Sequence, residues 1–158
     1  MDTVLSYLPG DIREHILALG AKRMGKIEEI RIRIGRPLEV NIGGESFFLP
    51  FIVHNGTAEQ LVNNLSKHSF YTLEEELKRG YITIEGGHRV GLAGKVILEN
   101  GTVKAIRNIS SFNIRIAREQ VGMAEPLIRH MYERRWLNTI IIGPPQTGKT
   151  SLLRDIAR

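Results

Sequence analysis

The sequence predicts an α+β N-terminal domain, with helices and an antiparallel or mixed sheet, followed by the start of a truncated α/β nucleotide-binding domain. Two patterns predict the first part: apolar residues alternate with polar ones in several short segments, and helix-capping motifs lie between those segments. The second part is predicted by the motif G-x-x-x-x-G-K-[ST] at residues 143–150, which follows a short apolar run. We therefore assign residues 1–120 to the N-terminal domain, 121–137 to a linker and connecting helix, and 138–158 to the first strand, loop and helix of the second domain.

Composition narrows the class of protein. The 158 residues are 42% hydrophobic and 25% charged, which is typical of a globular protein and excludes a fibrous or disordered class. The absence of cysteine excludes disulfides and thiolate metal sites, and none of the five histidines has zinc-ligand spacing. No apolar run approaches the roughly 20 residues that span a bilayer. The formal charge of +5 is compatible with binding to nucleic acid, an anionic membrane surface or nucleotide phosphates, and equally with solubility alone.

The first half of the chain changes between helix and strand patterns. Helically spaced apolar residues after a proline predict a helix over about residues 9–24. Period-two alternation predicts three strands, near residues 29–34, 38–42 and 46–49. The capping-box motifs TAEQ and TLEE open two predicted helices, near residues 57–67 and 72–79.

Strand patterns return after Gly80. YITI predicts one strand, a hairpin follows with Asn100-Gly101 at its tip, and FNIRIAR at 112–118 predicts another strand. Four glycines in this sheet are interpreted as plain bends, with bulges or close backbone approach as the alternative: Gly86, Gly87, Gly91 and Gly94.

A short connection then leads to a helix with Pro126 in its first turn. The following run, NTIIIG at 138–143, has the character of a parallel strand buried on both faces. Because most of its sheet would be missing, we expect this strand to pack on the N-terminal domain or on another molecule, or to be mobile.

The glycine motif predicts a phosphate-binding loop, because strand, loop and helix follow one another in the required order; an ordinary glycine turn is the alternative. Backbone amides between Pro145 and Thr150 would donate to phosphate oxygens at the positive end of the helix. Lys149 would reach the β- and γ-phosphates, and the Thr150 hydroxyl would bind Mg²⁺, so ATP and Mg²⁺ are the predicted cofactors. Ser151 would either help at the α-phosphate or lie on a helix face. The predicted binding residues are Gly143, Pro144, Pro145, Gln146, Thr147, Gly148, Lys149, Thr150 and Ser151.

Hydrolysis of ATP requires more than this loop. An acidic residue at the end of a later strand must hold Mg²⁺ through water, and a further group must orient the attacking water. Among residues 151–158, which follow Thr150, the one acid is Asp155, and it would lie on the first helix itself. We therefore expect this chain to be the front part of a longer NTPase and not to hydrolyse ATP by itself.

Three stretches, RGYITIEGGHRVGLAGKV, IRNISSFNIRIARE and GPPQTGKTSLLRDIAR, closely resemble the stage III sporulation protein AA family of endospore-forming bacteria. That family belongs to the secretion-type ATPases, related to the motors of type II and type IV secretion and of pili. Gln146 departs from the GPPGTGKT loop common in other AAA+ proteins.

The resemblance implies a RecA-like motor domain that works as a hexameric ring. The ring would lie in the mother-cell cytoplasm, peripheral at the membrane, and would dock on membrane proteins of the channel that links mother cell and forespore. The full-length protein would power assembly of that channel or transport through it.

A basic stretch precedes the linker. Between Val103 and Arg118 the chain has four basic residues and no acidic one, which a solvated basic face would also explain. Resemblance to the secretion ATPases implies that arginines of the N-terminal domain approach nucleotide at a ring interface. Arg115 and Arg118 are therefore candidate catalytic residues beside Lys149.

Two other functions compete with this interpretation. A nucleic-acid-binding or remodelling ATPase would carry aromatic residues among the basic residues of a sheet face. Few exposed aromatics are expected beside the strand arginines, which are Arg31, Arg33, Arg89, Arg115 and Arg118. A non-enzymatic docking module, whose loop only stabilises the fold, is the third interpretation.

Overall fold

The computed structural model describes residues 1–66, 76, 78–117, 121–145 and 147–157. The chain forms two compact units, Met1–Ala117 and Arg118–Arg158. Within the described residues, no helix is long and apolar enough to cross a membrane.

The described residues of the first unit include the α-helices α1 (Asp2–Tyr7), α2 (Gly10–Leu17), α3 (Ala21–Met24) and α4 (Asn55–Ser66). The single helix predicted over residues 9–24 is divided, because Gly20 has a φ of 77° that a right-handed helix cannot accommodate. Helix α4 begins ahead of Thr57, whose hydroxyl donates to Asp11 at 2.7 Å instead of capping the helix. The helix predicted over residues 72–79 lies mostly outside the described residues.

Six strands form one antiparallel sheet in the order β3-β2-β1-β6-β5-β4, which confirms the predicted α+β class for this unit. The strands are β1 (Ile27–Arg33), β2 (Pro37–Ile42), β3 (Glu45–Ile52), β4 (Tyr81–Ile84), β5 (His88–Glu99) and β6 (Thr102–Arg115). The predicted hairpin turn at Asn100-Gly101 is confirmed, with positive φ at both residues.

One face of the sheet packs against the helices. Alternating residues of the central strands, among them Ile30, Ile32, Phe112 and Ile114, are buried with Ile12 of α2. Burial of each such side chain contributes about 1.5–3 kcal/mol to the free energy of unfolding. Residues between them in sequence lie on the opposite face of the sheet.

Gly94 marks a close approach of two strands. A Cβ at this position would lie 2.6 Å from the carbonyl oxygen of Arg107 and 2.9 Å from the Cα of Ile109. The register between β5 and β6 shifts here, between Ala93 and Lys95. At Gly94, therefore, the alternative of a bulge with close backbone approach is correct and the plain bend is wrong.

The second unit holds helix α5 (Glu125–Met131), the paired short strands β7 (Tyr132–Glu133) and β8 (Arg135–Trp136), and helix α6 (Lys149–Ile156). The predicted strand at NTIIIG is wrong: residues 137–144 lie in neither helix nor strand. Ile140 and Ile142 are 85% and 89% exposed. A parallel strand requires neighbouring strands, and the strands described in this unit, β7 and β8, pair with each other.

Candidate functional site

The glycine loop ends at a left-handed residue from which helix α6 begins. Gly148 has a φ of 84° and a ψ of 9°, a conformation that glycine adopts without a steric penalty. The first intrahelical bond runs from the Leu152 amide to the Gly148 carbonyl at 2.9 Å. The N–H groups of the first helical turn have no intrahelical acceptors, and the helix dipole places partial positive charge there. This end of α6 therefore suits an anion.

Lys149 folds back over the loop. Its ammonium group donates to the carbonyl oxygen of Gly143 at 2.8 Å and also to that of Pro144. The Thr147 hydroxyl donates to the Pro144 oxygen at 2.8 Å, and a Cβ on Gly143 would lie 3.2 Å from the Thr147 oxygen. The loop is thus tightly turned, with its cation held by carbonyl groups.

A cavity of about 290 Å³ opens at the start of α6, lined by Gly148, Lys149, Thr150 and Ser151. Its available groups are amide N–H donors, one ammonium group and two hydroxyls, a set that matches polyphosphate oxygens. Among the described residues, no group of three His, Cys, Asp or Glu side chains is placed to hold a metal ion. The Thr150 hydroxyl is an oxygen donor, the type of ligand that Mg²⁺ prefers.

The predicted site residues fall in different parts of the chain. The loop residues from Gly143 to Ser151 belong to the second unit. One of them, Gln146, lies outside the described residues. Arg115 ends β6 in the first unit, and Arg118 lies outside the described residues.

Asp155 has a contact that the sequence did not suggest. Its carboxylate accepts the backbone N–H of Gly122 at 3.1 Å and that of Ala124 at 2.8 Å, just ahead of α5. The Met123 methyl lies 3.7 Å from where a Cβ on Gly148 would be. The segment between Gly122 and Ala124 therefore contacts α6 near both of its ends. The partners of Asp155 are more than thirty positions away in sequence, so no local pattern reveals them.

The sheet surface opposite the core is rich in arginine. We call it the polar face, and it comprises Glu29, Arg31, Arg33, Glu39, Arg89, Asn113 and Arg115. The four described strand arginines predicted from the sequence all lie on it.

Two carboxylates lie beneath these arginines. Glu39 is 4% exposed and pairs with Arg31 at 2.7 Å and with Arg33. Glu29 accepts the Asn113 amide at 2.6 Å and pairs with Arg31 at 2.5 Å and with the Arg115 Nε at 3.6 Å. Burial by itself would raise the pKa of Glu29, but the Asn113 hydrogen bond and the charges of Arg31 and Arg115 outweigh it and hold that pKa below its ordinary value.

The polar face also includes an aromatic contact at its edge. The Arg89 guanidinium lies 4.1 Å from the centroid of the Tyr81 ring, a cation–π distance. Such a pair is the feature that a nucleic-acid-binding sheet would show. Phe48, which is 64% exposed on β3 directly opposite Glu39, adds a second aromatic side chain to this face.

His88, one of the five histidines without zinc-ligand spacing, is 5% exposed at the start of β5. Its Nδ1 accepts the backbone N–H of Ala117 at 2.9 Å, so the neutral ring carries its proton on Nε2. Burial, aided by the positive charge of the chain's amino terminus, lowers the pKa of His88 from its ordinary value of 6.5. His88 thereby fixes the last residue of the first unit.

A family model described as "Sporulation stage III, protein AA" matches residues 1–158. Stage III sporulation protein AA of Bacillus subtilis (strain 168) is 53% identical over 161 residues, an alignment that covers 100% of this chain and 52% of that protein. The chain thus spans about half the length of this curated relative.

Solved structures resemble the chain as well. The pilus retraction motor PilT with bound ADP matches with a TM-score of 0.52 and 17% identity, over 90% of this chain and 41% of PilT. The ATPase DotB of Legionella pneumophila matches with a TM-score of 0.44 and 17% identity, over 95% of this chain and 43% of DotB. The similarity to PilT shows a shared fold.

Proposed function

Because the chain belongs to the Sporulation stage III, protein AA family, we propose that it is the ATP–Mg²⁺-binding front part of a sporulation ATPase. The observation that supports this best is the set of donors around the cavity at the start of α6. In this proposal, residues 1–120 form the N-terminal domain, 121–137 connect, and 138–158 begin a RecA-like NTPase domain. The division between compact units after Ala117 supports that organisation.

The residues of the loop would share the work of binding. Amide groups at the start of α6 donate to phosphate oxygens, and Lys149 exchanges its two carbonyl contacts for the β- and γ-phosphates. The Thr150 hydroxyl would hold Mg²⁺, which would neutralise part of the charge of the phosphates. Gly143, Pro144, Pro145, Gln146, Thr147 and Gly148 form the backbone of the loop, and Ser151 lines its mouth.

Arg115 and Arg118 are proposed as catalytic residues of the assembled protein. The Arg115 side chain is 69% exposed at the end of β6, where a nucleotide held by a neighbouring subunit can be reached. A guanidinium near the γ-phosphate stabilises the charge that develops during transfer, an effect of about 10³ to 10⁵ in rate. Arg118 follows three residues later in the sequence.

The proposed assembly is a hexameric ring on membrane proteins of the channel between mother cell and forespore. PilT, whose fold is similar, is a pilus retraction motor that has been observed with ADP. By analogy, the full-length protein would use ATP to assemble that channel or to drive transport through it, as a cytoplasmic protein of the mother cell held peripherally at the membrane.

Titration of the chain with a fluorescent ATP analogue and Mg²⁺ tests the proposal. Lys149→Ala removes the charge that pairs with the phosphates, so we expect affinity to fall by about 10- to 100-fold. Lys104→Ala is the matched control, because Lys104 is an exposed lysine paired with Glu99 on the β5–β6 hairpin. Equal affinities for the wild type and Lys149→Ala would exclude the loop as the binding site.

A nucleic-acid-binding ATPase is the second candidate, because Arg89 stacks on Tyr81 on an arginine-rich sheet face. Fluorescence anisotropy with a labelled single-stranded oligonucleotide distinguishes the two functions. Nucleic-acid binding by this face requires an affinity that falls steeply with salt and is weakened by Tyr81→Ala. Oligonucleotide binding that depends neither on salt nor on Tyr81 would exclude this face as the binding site.

A further inference from the structure

We propose that Glu29 is a positioning residue for Arg115, holding the Nε edge of its guanidinium so that the terminal nitrogens are presented to an anionic phosphate. This inference rests on the proposed function of Arg115 and adds a residue that the loop motif does not include. Glu29 acts through Arg115 and does not itself contact nucleotide.

The strand register brings the two side chains together. Glu29 on β1 lies directly opposite Arg115 on β6, and its Oε1 is 3.6 Å from the Arg115 Nε. The Glu29 side chain is 14% exposed and that of Arg115 is 69% exposed. The carboxylate therefore lies at the base of the arginine. Because the contact is made through Nε, the two terminal nitrogens are not used by it.

The carboxylate is itself held in place. Its Oε1 accepts the Asn113 amide at 2.6 Å, and its Oε2 pairs with Arg31 at 2.5 Å. Arg31 is fixed in turn by the buried Glu39 at 2.7 Å. All of these groups lie on paired strands, which position side chains more accurately than loops do.

The positive charge of Arg89, on the side of Arg115 away from Glu29, favours the same orientation of the Arg115 guanidinium. Arg89 on β5 lies directly opposite Arg115, and two cations at facing positions repel each other. Arg89 is stacked over Tyr81 on β4, the strand on the far side from Arg115. Arg115 thus has a cation on one side and Glu29 on the other, and both charges favour a guanidinium position on the Glu29 side.

The test compares ATP turnover of the full-length protein in Glu29→Gln, Arg115→Ala and the double variant. A misplaced reacting group costs about 100-fold per ångström, so we expect kcat to fall about 10- to 100-fold in Glu29→Gln while KM changes less than about twofold. The double variant should turn over ATP no more slowly than Arg115→Ala, because Glu29 acts only through that arginine. Glu29→Asp, which keeps the charge, should recover part of the loss.

The control variant is Glu99→Gln, which removes an exposed carboxylate paired with Lys104 on the β5–β6 hairpin. It should leave both kcat and KM unchanged. A second readout needs no ATP: the NMR order parameter of the Arg115 Nε–H bond should be lower in Glu29→Gln than in the wild type and Glu99→Gln.

The outcomes distinguish the proposed role of Arg115 from the proposed role of Glu29. Normal turnover in Arg115→Ala would overturn the proposed role of the arginine and this inference with it. Slow turnover in Arg115→Ala together with normal turnover in Glu29→Gln would overturn the positioning role alone. Equal Nε–H order parameters in the wild type and Glu29→Gln would likewise show that Glu29 does not hold Arg115.

Discussion

The buried side chain of His88 makes the stability of the first unit depend on pH. The neutral ring of His88 accepts the Ala117 amide, and its pKa lies below 6.5 in the folded state. As pH falls below about 6.5, the unfolded chain therefore binds more protons than the folded chain. The contribution of His88 to the free energy of unfolding is complete above that pH and is lost as pH falls toward the folded pKa. We predict that the free energy of unfolding of the wild type exceeds that of His88→Gln at pH 8 and that this difference shrinks by pH 5.

Urea unfolding at a series of pH values measures this difference. His130→Gln serves as the control, because His130 is an exposed histidine of the second unit. A difference between wild type and His88→Gln that stays constant from pH 8 to pH 5 would show that His88 is not the titrating group.

At the scale of elements, two helices of the second unit are joined by one carboxylate. Asp155 of α6 accepts two amide hydrogens from the segment ahead of α5. Loss of a hydrogen bond costs about 0.5–1.5 kcal/mol, so we predict that Asp155→Ala speeds amide exchange at Gly122 and Ala124 by about 2- to 13-fold. Glu125→Gln, a change of an exposed acid in the first turn of α5, should leave both amides unchanged. Unchanged amide exchange in Asp155→Ala would show that Asp155 does not join the two helices.

Elements predicted well from the sequence are those whose signals are local. The alternation around Ile30 and Ile32 and the Asn100-Gly101 turn each specify structure within a few residues, and the sheet contains both. The run at Ile140 fails as a strand because strand formation depends on partners that local sequence does not contain.

The same distinction applies to the candidate site. The glycine loop is contiguous, so its residues could be predicted from their spacing alone. The contact of Glu29 with Asn113 and Arg115 joins residues more than eighty positions apart, and only the pairing of β1 with β6 brings them together. The arginines could be identified from the sequence, whereas the carboxylates that hold them could not.

At the scale of the whole molecule, we expect the 158-residue chain to bind ATP without hydrolysing it. The loop supplies donors for phosphate, but turnover requires an acid on a later strand to hold Mg²⁺ through water. Asp155, the acid that follows the loop, is engaged by Gly122 and Ala124. The chain also spans 52% of its Bacillus subtilis relative.

We therefore predict that the 158-residue chain binds ATP–Mg²⁺ and releases no phosphate above the background of its Lys149→Ala variant. Steady-state phosphate release measures this, with nucleotide binding followed in the same preparation so that inactive protein is recognised. The full-length protein is the matched comparison, and in it turnover should depend on both Lys149 and Arg115. Phosphate release by the 158-residue chain that disappears in Lys149→Ala would mean that these residues contain a complete catalytic set, and the requirement for an acid on a later strand would then be wrong.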